Sequence, residues 1–350
     1  MRSVDALNPF KSTREFQWAG PCVISSIAGL GDLFIHLPLI SGLVQECHRR
    51  SLAVRVALRP AHRAVGESCG WDVLPFDNAL EAFFKNPRAL RPMDSLGNLR
   101  RARQSAPALW IDLTGNAVSA LAIRLAGART LAARITRGGR SLVDFTLPHF
   151  IQENEYANRE RVARHLGCAL DFSIREKLRG EPVADLAQST VFCLTTAARW
   201  KNWPLQNFRT LIERFADHRF VLIGLRREVA SEERSELDSI LRLPNVVDGF
   251  DRFSTAELVR LVAHAKAVVT NDTSAAHIAN LFQIPGAVLF GPVSPGTFAA
   301  ADGLSVFHDA TCPFHPCVQW KCSNQADWCM RKIPGRRVGD YLATLPGFAS

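Results

Sequence analysis

The strongest constraint on the fold is a series of short, nearly continuous apolar runs separated by helix-length segments. In the second half, "TVFCLTT" (190–196), "RFVLIGL" (219–225), "NVVDGF" (245–250), "KAVVTN" (266–271) and "GAVLFG" (286–291) alternate with helical patterns near 206–217, 228–241, 255–264 and 274–282. A strand that is apolar on both faces has to be covered on both faces, the condition met by a parallel sheet between helices. The first half repeats the scheme less regularly. "PCVISSIA" (21–28), "LAVRVALR" (52–59), "ALWIDLT" (108–114) and "RTLAARIT" (129–136) read as strands, while 33–47 (despite Pro38) and 116–127 have helical spacing. Residues 78–107 fit neither pattern. A helical stretch near 156–167 precedes a polar segment, 171–189, that reads as a linker.

A chain of 350 residues exceeds the usual single-domain size. The expected division is a first α/β domain over 15–175, a second over 185–335, and a C-terminal helix or tail over 336–350. Ligands of open α/β sheets bind beyond the carboxyl ends of the strands, so the turns there are the places to look for chemistry.

Charge is unevenly spread. Residues 1–150 hold 19 Lys and Arg against 11 Asp and Glu, net +8, whereas 151–350 hold 23 against 22, net +1. A basic first half either solubilises the surface or attracts phosphates, an anionic membrane or nucleic acid. No zinc-finger or RNP-like pattern favours nucleic acid. No apolar run of about 20 residues could span a bilayer, and no secretory signal is read, so a cytoplasmic protein is expected.

Three turns carry polar residues at strand ends. In "SSIAGLGDLFIHLP" (25–38), Gly29 and Gly31 allow close backbone approach, and Asp32 begins a helix whose free N–H groups can receive an anion or whose N-terminus it simply caps. This is not the dinucleotide fingerprint, because the third glycine position is Phe34. In "TTAARWKNWPLQNF" (195–208), Thr195 and Thr196 can hydrogen-bond a ligand and Lys201 can meet a phosphate, while Trp200 and Trp203 suit packing. In "VVTNDTSAAHIANLFQIPGAVLFGPVSP" (268–295), Asp272, Thr273, Ser274 and Ala275 offer side chains and amides for an anion-binding concavity. His277 lies one turn into the helix. Capping and packing explain each turn singly; three of them on two α/β domains favour a ligand.

These same segments, in this order, resemble glycosyltransferase family 9, the bacterial heptosyltransferases. The first is similar to the family's glycine–aspartate motif, the second to its Thr/Ser pair with Lys-x-Trp-Pro, the third to Asp-Thr-Gly-x-x-His and the Phe-Gly-Pro loop beyond. The resemblance implies a GT-B fold, two Rossmann-like domains with parallel sheets facing a central cleft. It implies an inverting transfer of heptose from ADP-heptose to a lipopolysaccharide inner-core acceptor, a phosphorylated lipid A/Kdo-type molecule at the inner membrane, reached peripherally from the cytoplasm. By the same resemblance Asp32 is the general base and Lys201 contacts the donor diphosphate. Thr196 lies beside the donor, Asp272, Thr273 and the following amides lie under it, and His277 is the motif histidine. Glu228, near Arg226, is the acid for the nucleotide ribose. No cofactor is required for catalysis. Ser274 departs from the family's glycine.

Nine cysteines are present, and Cys312, Cys317, Cys322 and Cys329 crowd into one loop, 312–329. Intervening lengths of four, four and six residues do not make CxxC pairs. Four thiolates could hold a structural Zn or Fe ion, with His315 as a possible substitute ligand; free buried thiols or disulfides are the alternatives. Relatives that glycosylate autotransporter adhesins have an iron-binding element in a similar loop. A protein heptosyltransferase with a C-terminal metal site is thus the rival reading, beside a degenerate nucleotide-sugar-binding protein.

Overall fold

The computed structural model describes residues 16–77, 92–135, 139–150, 153–317 and 322–348. The chain forms two compact units, Met1–Lys177 and Leu178–Ser350.

The first unit is built on a six-stranded sheet in the order β3-β2-β1-β4-β5-β6. Its strands are β1 (Cys22–Ser26), β2 (Val54–Leu58), β3 (Val73–Pro75), β4 (Leu109–Asp112), β5 (Thr130–Arg134) and β6 (Phe145–Leu147). Every pairing is parallel, with Cys22 opposite both Val54 and Leu109. The order reverses between β1 and β4, whose following helices, Leu30–Arg49 and Ala117–Leu125, depart toward opposite neighbours and open a crevice. Helix Leu30–Arg49 is buried nearly all round, because the helix Glu155–Leu166 covers its outer side. On the other face Ala102, Ala120 and Ile123 pack over Val23, Trp110 and Leu131.

The second unit repeats the plan. Strands β7 (Thr190–Cys193), β8 (Phe220–Ile223), β9 (Val246–Asp248), β10 (Ala267–Asn271), β11 (Gly286–Phe290) and β12 (Ser305–His308) lie in the order β12-β11-β10-β7-β8-β9, all parallel. Counted from β7 this is again the 3-2-1-4-5-6 arrangement, reversing between β7 and β10. Phe192, Trp203, Phe208 and Phe220 form an aromatic cluster of tilted and edge-on rings in its core. The C-terminal segment joins that core through Met330, Ile333, Val338, Leu342 and Phe348.

Several elements differ from the sequence expectation. The short edge strands β3, β6 and β12 carry no long apolar run that marks them in the sequence. The helix Pro92–Gln104 occupies part of the unassigned 78–107 stretch, of which 78–91 lie outside the described residues. The segment read as a linker contains the helix Ile174–Arg179. No helix among the described residues is long and apolar enough to cross a membrane.

Candidate active site

In the first unit Asp32 is the third residue of the helix that leaves β1. Its Oδ2 accepts the Gly29 N–H at 3.2 Å, the reciprocal half of a capping box, and Gly31 belongs to the same first turn. A Cβ at Gly29 would stand 3.3 Å from that oxygen, so the residue is small because the carboxylate comes close. Burial pushes the Asp32 carboxyl above the usual range and the negative Glu155 adds to it, against the opposing pull of the Gly29 N–H, Arg134 and Arg59. Capping and a raised proton affinity thus coexist on one side chain. A half-buried carboxylate of this kind is suited to taking a proton.

One turn along, His36 begins a buried polar chain that sequence reasoning missed. Its Nε2 lies 2.6 Å from Arg134 Nη1, and its Nδ1 lies 3.1 Å from Ser26 Oγ. A guanidinium only donates, so Nε2 accepts and the ring proton sits on Nδ1, donated to Ser26. Burial first, then the Arg134 charge, holds His36 well below its ordinary value, and the ring is neutral. Arg134 Nη2 donates to Glu155 Oε2 at 2.7 Å, and His149 Nε2 donates to Glu155 Oε1 at 2.9 Å. Burial pushes the Glu155 carboxyl up, but the His149 hydrogen bond and the Arg134 charge outweigh it and bring it down to about 2. Their separation of 98 residues in the chain leaves the His36–Arg134 contact no local pattern to be read from.

Beneath these groups Asp112, fully buried at the end of β4, accepts from Ser25 Oγ and Ser119 Oγ at 2.8 Å each and from Thr114 N at 3.0 Å. Trp110 Nε1 donates to Ser25 Oγ at 2.9 Å. A buried carboxylate this well supplied with donors stitches β1 to β4 at the point where the sheet order reverses.

In the second unit the β7 and β10 ends bring together most of the predicted donor residues. Lys201 Nζ pairs with Asp272 Oδ2 at 2.6 Å. Asn271, wholly buried, fixes the loop that carries Lys201: its Oδ1 accepts the Trp203 N–H at 3.0 Å and its Nδ2 donates to Leu194 O at 2.9 Å. Thr196 bonds within the same loop, accepting the Ala198 N–H and donating to the Ala198 carbonyl through Oγ1, while its own N–H meets Asn202 Oδ1 at 2.8 Å. Trp203 donates its indole N–H to Ile333 O at 2.8 Å and is a packing residue.

Thr195 Oγ1 donates to Glu228 Oε2 at 2.9 Å and accepts the Leu225 N–H at 3.0 Å, tying Glu228 to the end of β7. Arg226 turns elsewhere, pairing with Asp248 at 2.5 Å. Thr273 caps the helix Ser274–Phe282 by accepting the Ala275 N–H at 3.3 Å. Ser274 is partly exposed in the first turn, and Ala275 is buried behind it. His277 is also buried; desolvation lowers it to about 4, Asp272 and Lys201 pulling in opposite directions. A lysine, a helix N-terminus and an oriented acid thus stand together at one strand-order reversal, an arrangement suited to an anion.

The cysteine loop corrects one expectation. Cys312, Cys317, Cys322 and Cys329 do border a common cavity of about 10 Å³, walled by Trp200, Pro292, Phe314 and Trp328. Among the described residues, however, no group of three or more His, Cys, Asp or Glu side chains is arranged to hold a metal ion. The structural Zn or Fe site is therefore overturned. The thiols instead serve as small apolar wall pieces: all four are free, and burial raises Cys317 and brings Cys329 to about 11, keeping them protonated. His315 hydrogen-bonds His308 across 3.0 Å.

The family model described as glycosyltransferase family 9 (heptosyltransferase) matches residues 160–326. Lipopolysaccharide heptosyltransferase 1 of Pseudomonas aeruginosa is 31% identical over 188 residues, covering 50% of this chain and 51% of the relative. The protein of the same description from Escherichia coli K12 is 27% identical over 159 residues, covering 42% of this chain and 48% of the relative. The chain thus spans about half the length of the curated relatives it matches. The solved structure of E. coli heptosyltransferase WaaC with ADP-2-deoxy-2-fluoro heptose aligns with a TM-score of 0.69 at 18% identity, covering 92% of this chain and 98% of that one; it shares the fold. Two parallel sheets, each flanked by helices, are the GT-B-like two-Rossmann architecture. The matched span, residues 160–326, contains the Lys201 and Asp272 segments of the second unit, and over that span the chain is similar to glycosyltransferase family 9.

Proposed function

We propose that this chain is an inverting glycosyltransferase that moves a heptose from ADP-heptose to a lipopolysaccharide inner-core acceptor. The observation that carries the reading is the Lys201–Asp272 pair beside the N-terminus of helix Ser274–Phe282, in a chain whose relatives are named lipopolysaccharide heptosyltransferases. Breaking the anomeric C–O bond leaves negative charge on the departing ADP. Lys201, released from Asp272, and the amide of Ser274 take up that charge. Glu228, steadied by Thr195, offers its second oxygen to the ribose hydroxyls. Asp32 removes the proton of the attacking acceptor hydroxyl, and attack opposite the leaving group inverts the anomeric centre.

A lipid acceptor with phosphate or carboxylate groups suits the basic first half of the sequence. Transfer to an adhesin polypeptide is the rival reading, and the acceptor, lipid-linked saccharide against polypeptide, discriminates the two. Calorimetry against ADP-heptose, ADP-glucose, UDP-sugars, GDP-sugars and NAD tests the donor. Selective ADP-heptose binding followed by turnover on a Kdo-lipid A acceptor supports the reading; preference for another nucleotide sugar, or donor binding without transfer, rejects it.

A further inference from the structure

We infer that Glu155 is a positioning residue for Asp32: by holding the Arg134 guanidinium against His36, it keeps that cation from closing an ion pair with the base. The inference rests on the reading of Asp32 as the base and deepens it. Asp32 and His36 lie four residues apart on one helix, hence on one face, and Arg134 reaches that face through the 2.6 Å contact with His36. Among the described residues, the charged and titratable groups that act on Asp32 and His36 are Arg59 from the end of β2, Arg134 from β5, His149 after β6, and Glu155 and Arg159 from the covering helix. Arg59 is committed to the Ile27 carbonyl at 2.7 Å and Arg159 to the Ile35 carbonyl at 3.1 Å.

Arg134 is held differently. Its side chain is 7% exposed, its Nε is buried without a partner, and its two other contacts are neutral His36 and Glu155. Glu155 is therefore its ionic partner. Glu155 is itself fixed from outside: it is the first residue of a helix capped by Asn154, where the dipole favours a carboxylate, and its other oxygen is taken by His149. Without the Glu155 charge, a buried guanidinium is left in electrostatic reach of the Asp32 carboxylate, and a paired Asp32 binds a proton less readily.

The test uses full-length Glu155→Gln, Glu155→Asp, Arg134→Met and Asp32→Asn. The acid limb of kcat/KM should move down by roughly 1 pH unit in Glu155→Gln and up by a similar amount in Arg134→Met. Donor KM should stay unchanged, and Glu155→Asp should restore most of the profile. Carboxyl ¹³C NMR titration of Asp32, assigned by its loss in Asp32→Asn, reads the same opposite shifts without activity. Should Glu155→Gln not fold, Arg134→Met and Glu155→Asp carry the titration. An Asp32 titration that stays put, or moves the same way in both charge-removing variants, overturns the inference. Near-normal turnover in Asp32→Asn would instead remove the base itself, a separate failure visible in that variant alone.

Discussion

Lys201 Nζ stands 2.6 Å from Asp272 Oδ2, with only 13% and 7% of the two side chains exposed. The cation that the proposed mechanism gives to the donor diphosphate thus already has an anionic partner, and on that mechanism donor binding exchanges one anionic partner for another. A half-desolvated pair is costly to break from one side, because the survivor keeps its burial and loses its counter-charge.

Lys201→Met should therefore do two things. ADP affinity should fall by about 10-fold or more, since a charge-assisted contact to phosphate is lost. Stability of the ligand-free protein should drop by about 1–3 kcal/mol, because Asp272 stays buried without its partner. Adding Asp272→Asn should recover part of the stability and none of the affinity. Urea unfolding and calorimetry separate the two effects.

Asp32→Asn should keep the fold, because an amide oxygen can still accept the Gly29 N–H. Donor binding should be unchanged and turnover should fall by about 10²–10⁴, the range for loss of a general base. Steady-state kinetics beside donor titration checks this.

Buried neutral histidines set an acid limit on stability. His277 stays unprotonated down to about 4, from an ordinary value of 6.5, and burial also lowers His36. Below pH 6.5 the unfolded chain takes up protons that the folded chain refuses, so stability falls as pH drops through that window. For His277 the loss is on the order of 3 kcal/mol by pH 4. Glu155 extends the decline, its contribution being lost from 4.5 downward toward 2. Melting temperature against pH should show this slope, and His277→Asn should flatten its upper part.

The cysteine loop should be indifferent to chelators. Prolonged EDTA or a thiol-competing chelator should leave the melting temperature unchanged, while a thiol reagent should react with Cys329 slowly in the folded protein, as a burial-raised thiol would. A fall of several degrees on chelation would instead show a metal held by these thiols.

What the sequence revealed follows from range. Runs such as "KAVVTN" and "GAVLFG" declare buried parallel strands because both faces are apolar, and Asp272, Thr273 and Lys201 are legible because they stand at strand ends inside short motifs. The edge strands Val73–Pro75 and Phe145–Leu147 are three residues each, too short for any period to register. The Ser25–Asp112–Ser119 node and the His36–Arg134–Glu155 chain join residues from separate elements, and only the folded sheet brings them together. The cysteine loop misled for the opposite reason: proximity in sequence suggested a ligand set, while the thiols in fact line an apolar wall.

Both sheets run through the same strand order, and each has its own core and its own reversal point. Under the proposed mechanism, proton removal and leaving-group stabilisation fall to separately folded halves of one polypeptide. On that mechanism, changes around Asp32 leave the aromatic cluster beside the Lys201 loop undisturbed, and the reverse. A lineage built on this plan can diversify its products by changing one half at a time.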